Sequence, residues 1–254
     1  MRLAVVGIGL MGGSIALSLK KKGFVSHVIG VDQNIEHQQQ ALQLGIVDEI
    51  MSLEDAVTSS DIIALATPVN VAESLLPTIL NLVNKQVVFD LGSTKESIVN
   101  VANTHSNKGR FVPTHPMWGT EFSGPTAAQT DAFVDKATVI CNKSQVDPDA
   151  LAIIEQMYVQ LGMHILYMDA IKHDIHVAYI SHISHITSFA LANTVLEKEK
   201  ESDAIFELAS GGVLDVLNEH ISQLRKFKAS LEKENPDYLL ELIQNANKIK
   251  RILK

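Results

Sequence analysis

The 254-residue chain has a single cysteine, Cys141, so it can form no internal disulfide and no cysteine-based zinc site. A small buried apolar residue near a strand is expected there. Positive charge is also scarce. Lys and Arg total 21 against 29 Asp and Glu, a formal net charge of -8. Nucleic acid and acidic membrane surfaces both need a positive face, so neither is expected as a bulk partner. An anionic small substrate stays compatible if a few cations are placed locally. No apolar run is long enough to span a bilayer. The chain opens directly in an apolar strand, "MRLAVVGIG", and reads as having no leader. A cytoplasmic protein is the expectation. Repeats, low-complexity tracts and long linkers are also missing. What is present is ordinary for a globular protein, 46% apolar and 20% charged residues, enough for one large or two modest domains.

Through the first two thirds of the chain, short apolar β-branched runs alternate with helical periods. Strands are expected at 2–7, 27–32, 61–68, 86–92, 109–115, 136–142 and 164–169. Helices are expected at 11–22, 36–45, 70–83, 95–105 and 147–162. Such alternation implies a doubly wound parallel sheet with helices on both faces. From about Asp169 only helical periodicity remains. The stretch "IHVAYISHISHITSFALANTVLEKE" is apolar over most of its surface, and "VLDVLNEHISQLRKFKASL" carries apolar residues at 214, 217, 221, 224, 227 and 231. A last helix should start with Asn235 as N-cap, Pro236 at N1 and Asp237 in the first turn. Two domains follow, 1–168 α/β and 169–254 all-helical. The small helical domain is expected to complete its core against a second copy, giving a homodimer.

The segment "GIGLMGGS" holds Gly7, Gly9 and Gly12 in the spacing G-x-G-x-x-G. It follows a strand, opens a helix, and precedes Asp32 at the end of a second strand. That context points to a dinucleotide. Gly7 permits a tight turn, Gly9 lets backbone approach the pyrophosphate, and Gly12 lets helix and strand pack closely. The helix start offers unpaired N–H groups to phosphate. Asp32 should accept from the ribose hydroxyls and repel a 2′-phosphate, and Gln33 and Asn34 bring no cation, which favours NAD over NADP. Ligands bind beyond the carboxyl ends of strands in such sheets, which adds Thr67 and Pro68 of "ATPVN". The expected cofactor set is Gly7, Gly9, Leu10, Met11, Gly12, Asp32, Thr67 and Pro68.

Two further strand ends, "DLGSTK" and "THPMWGTEFSGP", bring Ser93 and His115. Oxidising an alcohol removes a hydride from carbon and a proton from oxygen, and a neutral imidazole takes or polarises that proton near neutral pH. His115 is the candidate, stiffened by Pro116, with Ser93 to orient the imidazole or the hydroxyl. Taken alone, a His before Pro is more often a turn residue, Trp118 a packing residue and Glu121 a solvated loop acid.

Together and in this order, "GIGLMGGS", "DLGSTK", "HPMWGTEFSGP" and "HDIHVAYISHISH" resemble the prephenate dehydrogenase family, including its arogenate-using members, up to about residue 212. The resemblance implies a Rossmann-type NAD-binding domain and a helical dimerisation domain. It implies oxidative decarboxylation of prephenate, with His115 as catalytic histidine and Ser93 assisting it. Thr120, Glu121, Ser181 and His185 fall at substrate-contacting positions. Ser181 and His185, at i and i+4, share a helix face. The same helix carries His173, His176, His182 and His185, but at about 100° per residue the first pair points away from the second, so no metal site is expected. His173 with Asp174 is expected to begin the helix in a structural capping role, and His176 and His182 to bond within the core or an interface.

One place departs from the family. After a glycine pair the family supplies an arginine that binds a substrate carboxylate, whereas here "ELASGG" runs straight into "VLDVLNEH" and no F-x-x-x-x-R-like stretch follows. A glycine pair normally ends a helix, so a skipped segment between 212 and 213 is expected; a real junction would mean a lost anchor. Other readings are an arogenate dehydrogenase, an NAD(P)-dependent hydroxyacid or imine reductase on the same two-domain plan, and a non-enzymatic dinucleotide-binding protein.

Overall fold

A computed structural model describes residues 1–178, 183–201 and 212–248, apart from the side chains of 185, 197–201 and 212–216. The described chain falls into two compact units, Met1–Ile175 and His176–Lys254.

The first unit is built on six parallel strands, β1 (Arg2–Val6), β2 (His27–Val31), β3 (Glu49–Ile50), β4 (Ile62–Leu65), β5 (Val87–Asp90) and β6 (Phe111–Val112). Their spatial order is β3-β2-β1-β4-β5-β6, the order of a dinucleotide-binding doubly wound sheet. Successive side chains of a strand point to opposite faces, and β1 shows the consequence. Leu3 and Val5 pack with α1 (Leu10–Lys21) and α6 (Pro148–Leu161), while Ala4 and Val6 pack with α4 (Val69–Leu82) and α5 (Glu96–Asn103). Both faces are covered, which is why these strands read as continuous apolar runs. Each large side chain fully buried there contributes about 1.5–3 kcal/mol. The sheet's rigidity fixes where the strand ends, and hence the site, sit.

The expected elements through residue 105 appear with ends shifted by a few residues, together with α2 (Ile35–Gln43). Two elements were not anticipated: β3 and α3 (Leu53–Thr58). A two-residue edge strand has no periodicity to detect. The short helix does have a start signal, because the Ser52 hydroxyl accepts from Asp55 N at 3.1 Å and donates to the Asp55 carboxylate at 2.8 Å.

The strand expected at 109–115 is really two. Val112 still pairs with Phe89 in the large sheet, but β7 (Thr114–Pro116) belongs to a second sheet with β8 (Ala137–Cys141) and β9 (His164–Met168). Pro113 lies at the break; it has no N–H to continue the ladder, and its carbonyl accepts from Cys141 N at 2.9 Å. Strand β7 runs antiparallel to β8, with His115 opposite Val139, and β8 runs parallel to β9.

Helix α7 (Ala170–Val177) crosses the limit between the units. The second unit contains α8 (Ile183–Glu201), α9 (Gly212–Glu232) and α10 (Pro236–Ala246). Asn235 caps α10 as expected, its side chain accepting from Tyr238 N at 3.0 Å. Phe227 and Ala190 are fully buried at the centre of a small core with Leu242. Along the apolar stripe of α9, Leu217, Ile221 and Leu231 remain exposed. Gly212 and Val213, between which a skipped segment is expected, lie in α9 at the edge of the described residues. None of the described helices is long and apolar enough to cross a membrane.

Candidate active site

The glycine loop leaves β1 at Gly7, whose φ of +96° suits glycine alone, and whose N–H donates to Val31 O at 2.8 Å. A Cβ on Gly12 would meet Gly7 O at 2.0 Å and Val5 Cγ1 at 2.8 Å, so this glycine lets α1 lie against β1. A Cβ on Gly9 would meet nothing within 4 Å, so the backbone there faces open space. Leu10 and Met11 form the first turn of α1, which has neither a side-chain cap nor an acidic residue. Its N–H groups and dipole are therefore available to an anion.

Beside the loop lies a cavity of about 730 Å³ at the carboxyl ends of β1, β2 and β4, with Gly7, Gly9, Asp32, Thr67 and Pro68 among its lining residues. The Asp32 carboxylate accepts from Ile8 N at 2.8 Å and from Asn34 N at 2.9 Å, which ties the end of β2 to the glycine loop. Its remaining lone pairs can take ribose hydroxyls. His37, on α2, lines the same cavity with Nδ1 3.6 Å from Asp32 Oδ2. Thr67 Oγ1 is buried and has no hydrogen-bond partner among the described residues. A buried orphan hydroxyl is costly unless something satisfies it, and a bound ligand at this wall would. Among the described residues no lysine or arginine lines the cavity, so none of them favours a 2′-phosphate there. The residues fit NAD.

The second part of the site surrounds His115. Asp90 ends β5, fully buried, and its carboxylate pairs with the equally buried Lys95 ammonium. It also accepts from Gly92 N at 3.0 Å and Thr114 N at 3.1 Å. Burial pushes the Asp90 carboxyl above its ordinary range, and Lys95 and the two N–H groups oppose that shift. The Thr114 hydroxyl donates to Asp90 O at 2.5 Å and so accepts from Tyr158 OH at 2.6 Å. Burial pushes the Tyr158 phenol upward, which keeps it a donor. Thr114 is thus locked to the end of β5, and His115 follows it on β7.

The imidazole of His115 is held from α7. His115 Nδ1 lies 2.9 Å from His173 Nε2, and His173 Nδ1 lies 2.7 Å from Asp174 Oδ1. The two rings meet edge to face, with centroids 5.1 Å apart. Asp174 in turn accepts from Lys95 N and Glu96 N, each at 2.8 Å, at the start of α5. His173 does not simply cap its own helix, and the residue capped by Asp174 is on α5. His115 Nδ1 is thus engaged by His173, and Ser93, expected to orient the imidazole or the hydroxyl, sits exposed just past β5.

Thr120 and Glu121 lie on the exposed loop after β7. Thr120 Oγ1 accepts from Phe122 N at 3.3 Å, and Glu121 lines a second hollow of about 560 Å³ with Phe122, Ser123 and Gln129. Ser181 lies outside the described residues, as does His182. His185 is on α8, with its side chain outside the description. Sequence reasoning missed His173, Asp174, Asp90 and Lys95 as site-building residues, although Asp90 and Lys95 bound the "DLGSTK" motif and His173 and Asp174 open the "HDIHVAYISHISH" motif.

The family model described as "Prephenate dehydrogenase, nucleotide-binding domain" matches residues 15–167, and "Prephenate dehydrogenase, dimerization domain" matches 169–252. The prephenate dehydrogenase of Lactococcus lactis subsp. cremoris is 31% identical over 97% of this chain and 68% of its own length. The cyclohexadienyl dehydrogenase of Zymomonas mobilis subsp. mobilis is 26% identical, covering 99% of this chain and 96% of its own. The crystal structure of prephenate dehydrogenase from Aquifex aeolicus aligns with a TM-score of 0.72 at 26% identity, covering 99% of both chains.

Proposed function

Since the chain belongs to the prephenate dehydrogenase family, we propose that it oxidises and decarboxylates prephenate to 4-hydroxyphenylpyruvate and CO₂, rather than acting first on arogenate. NAD⁺, held by the glycine loop, Asp32, Thr67 and Pro68, supplies the hydride acceptor. The observation that carries the reading is His115, an imidazole fixed at the carboxyl edge of the sheet by the Thr114–Asp90 and His173 hydrogen bonds. It suits a base that takes the ring hydroxyl proton as hydride leaves the same carbon. The C–C bond to the departing carboxylate then breaks, and its electron pair aromatises the ring and returns charge to the oxygen. His115 gives the proton back there, so the reaction releases no net proton. Ser93 is assigned to the hydroxyl, and Thr120, Glu121, Ser181 and His185 to the rest of the substrate.

No F-x-x-x-x-R-like stretch follows Gly212 in the sequence, so the family's carboxylate-binding arginine has no counterpart there. A lost charged hydrogen bond is worth about 1.5–3 kcal/mol. KM for prephenate should therefore be roughly 10- to 100-fold above that of a chain carrying such an anchor. The chain is assigned to the cytoplasm as a homodimer through its helical unit, a reading supported by the exposed Leu217, Ile221 and Leu231 on α9 and the dimerization-domain match.

The test is purified protein with NAD⁺ and prephenate or arogenate, followed by NADH absorbance. NADH from prephenate at the higher kcat/KM is expected, and none from either substrate rejects the reading. His115→Asn should lower kcat by about 10²–10⁴-fold and leave NAD⁺ binding intact; unchanged turnover removes His115 from its role.

A further inference from the structure

The hydrogen-bond series Asp174–His173–His115 has a direction. An ionised carboxylate only accepts, so the proton between Asp174 Oδ1 and His173 Nδ1 belongs to His173. A neutral imidazole has one N–H, which leaves His173 Nε2 with a lone pair. The next contact, 2.9 Å long, must then be donated by His115 Nδ1. With its one proton on Nδ1, neutral His115 keeps its lone pair on Nε2. We propose that His173 and Asp174 are positioning residues that fix the tautomer and ring orientation of His115, so that Nε2 is the basic atom offered to the substrate hydroxyl. When His115 gains a proton, its Nδ1–H remains donated to His173 Nε2, and the series ends on the carboxylate, which stabilises the imidazolium.

Three features beyond the distances support this. His173 is only 1% exposed, so water does not compete for its ring nitrogens. Asp174 is itself anchored by two backbone donors at the start of α5, which fixes the carboxylate. The same peptide region holds Lys95, whose ammonium pairs with Asp90, the residue that locks Thr114 next to His115. The imidazole is thus clamped from its own backbone and from α7. A purely structural account, in which Asp174 merely caps α5, explains the N–H contacts but assigns no use to a buried second histidine between the cap and the base.

The proposal deepens the assigned function and rests on it for its kinetic test; a second test does not. For Asp174→Asn, one acceptor is lost, and the NH₂ meets either Lys95 N and His173 Nδ1 or Glu96 N. In both arrangements the negative charge that holds the His173 proton on Nδ1 and stabilises the His115 imidazolium is gone. The expected result is a fall in kcat of about 10²-fold or more with KM for prephenate and NAD⁺ within about threefold. His173→Gln, which keeps an acceptor near the Nε2 position, should retain clearly more kcat than His173→Leu. Unchanged kcat in a folded Asp174→Asn, or equal losses in the two His173 variants, overturns the proposal. Should the variants not fold, or should the parent chain form no NADH, the tautomers are read directly in the unmodified protein. Long-range ¹H–¹⁵N spectra of ¹⁵N-histidine-labelled chain at about pH 8, above the ordinary histidine range, should show the proton on Nδ1 of both His115 and His173. His115 protonated on Nε2 overturns the proposal whatever the activity.

Discussion

Alanine at Gly9 and at Gly12 should separate the two duties of the glycine loop. The substitution is the same, one methyl group, three residues apart on the same turn. At Gly12 the new Cβ would sit 2.0 Å from Gly7 O, 2.8 Å from Val5 Cγ1 and 3.0 Å from Ala66 Cβ. Ordinary contact is near 3.5 Å or more, so α1 would have to move by more than 1 Å from a strand whose other neighbours are fully buried. Alanine gains about 1 kcal/mol over glycine inside a helix, while forcing atoms into a packed core costs typically 1–3 kcal/mol and occasionally more. A backbone carbonyl that cannot rotate away puts this case at or above the top of that range, for a net loss of about 2 kcal/mol. At roughly 2–4 °C per kcal/mol for a unit of this size, Tm should fall by about 4–8 °C. At Gly9 the backbone is extended, with φ -85°, and the Cβ meets nothing within 4 Å. Tm should hold within about 1 °C, since a substitution that touches nothing changes stability by under about 0.5 kcal/mol. The methyl group would nevertheless occupy the space where a pyrophosphate approaches, and NAD⁺ affinity should fall at least tenfold, about 1.4 kcal/mol. Thermal unfolding by circular dichroism and NAD⁺ titration by calorimetry read both variants. Gly9→Ala with undiminished NAD⁺ affinity, or Gly12→Ala with undiminished Tm, refutes the reasoning.

Lys95→Met removes the cation paired with the buried Asp90 carboxylate and should destabilise by about 3–5 kcal/mol. Because burial then holds the folded-state pKa of Asp90 above its unfolded value, the folded chain binds the extra proton; the deficit should be largest at neutral pH and shrink as pH falls, and a deficit that grows with acid contradicts this. Thr67→Val deletes the orphan hydroxyl in the cavity wall, so Tm should be unchanged or higher while NAD⁺ affinity drops about fivefold, the value of one ordinary hydrogen bond; a fall in Tm with unchanged affinity counts against a ligand-facing role. The Cys141 thiol is fully buried and pushed up to about 12 by that burial, so a thiol reagent at pH 8 should label it only at the rate of unfolding; fast labelling under native conditions contradicts its placement.

The sheet was readable where strands are buried on both faces. β1, β2, β4 and β5 are continuous apolar runs, and the glycine spacing after β1 specifies both turn and cofactor end. The readable part of the cofactor site is local, with Gly7, Gly9, Gly12 and Asp32 lying within one strand–helix–strand unit. The catalytic side was less readable because its contacts are distant in sequence. His115 meets His173 across 58 positions, and Asp174 meets Lys95 across 79. Nothing in the pattern "HD" distinguishes a helix start from a relay. Lys95 reads as a solvated lysine, and only the fold brings Asp90 over it. Pro113 gave a clear local signal, but the consequence, a switch from one sheet to another, depends on where β8 lies.

The central claim, that this chain couples hydride removal at the ring carbon to loss of the opposite carboxylate, is tested most directly by stoichiometry. Prephenate labelled with ¹³C in its ring carboxylate would be turned over with NAD⁺, and NADH and labelled CO₂ would be measured together. The account predicts equal amounts of both, formed at the same rate and with no net proton release. NADH formed without labelled CO₂, or neither product at saturating prephenate with NAD⁺ bound, contradicts it.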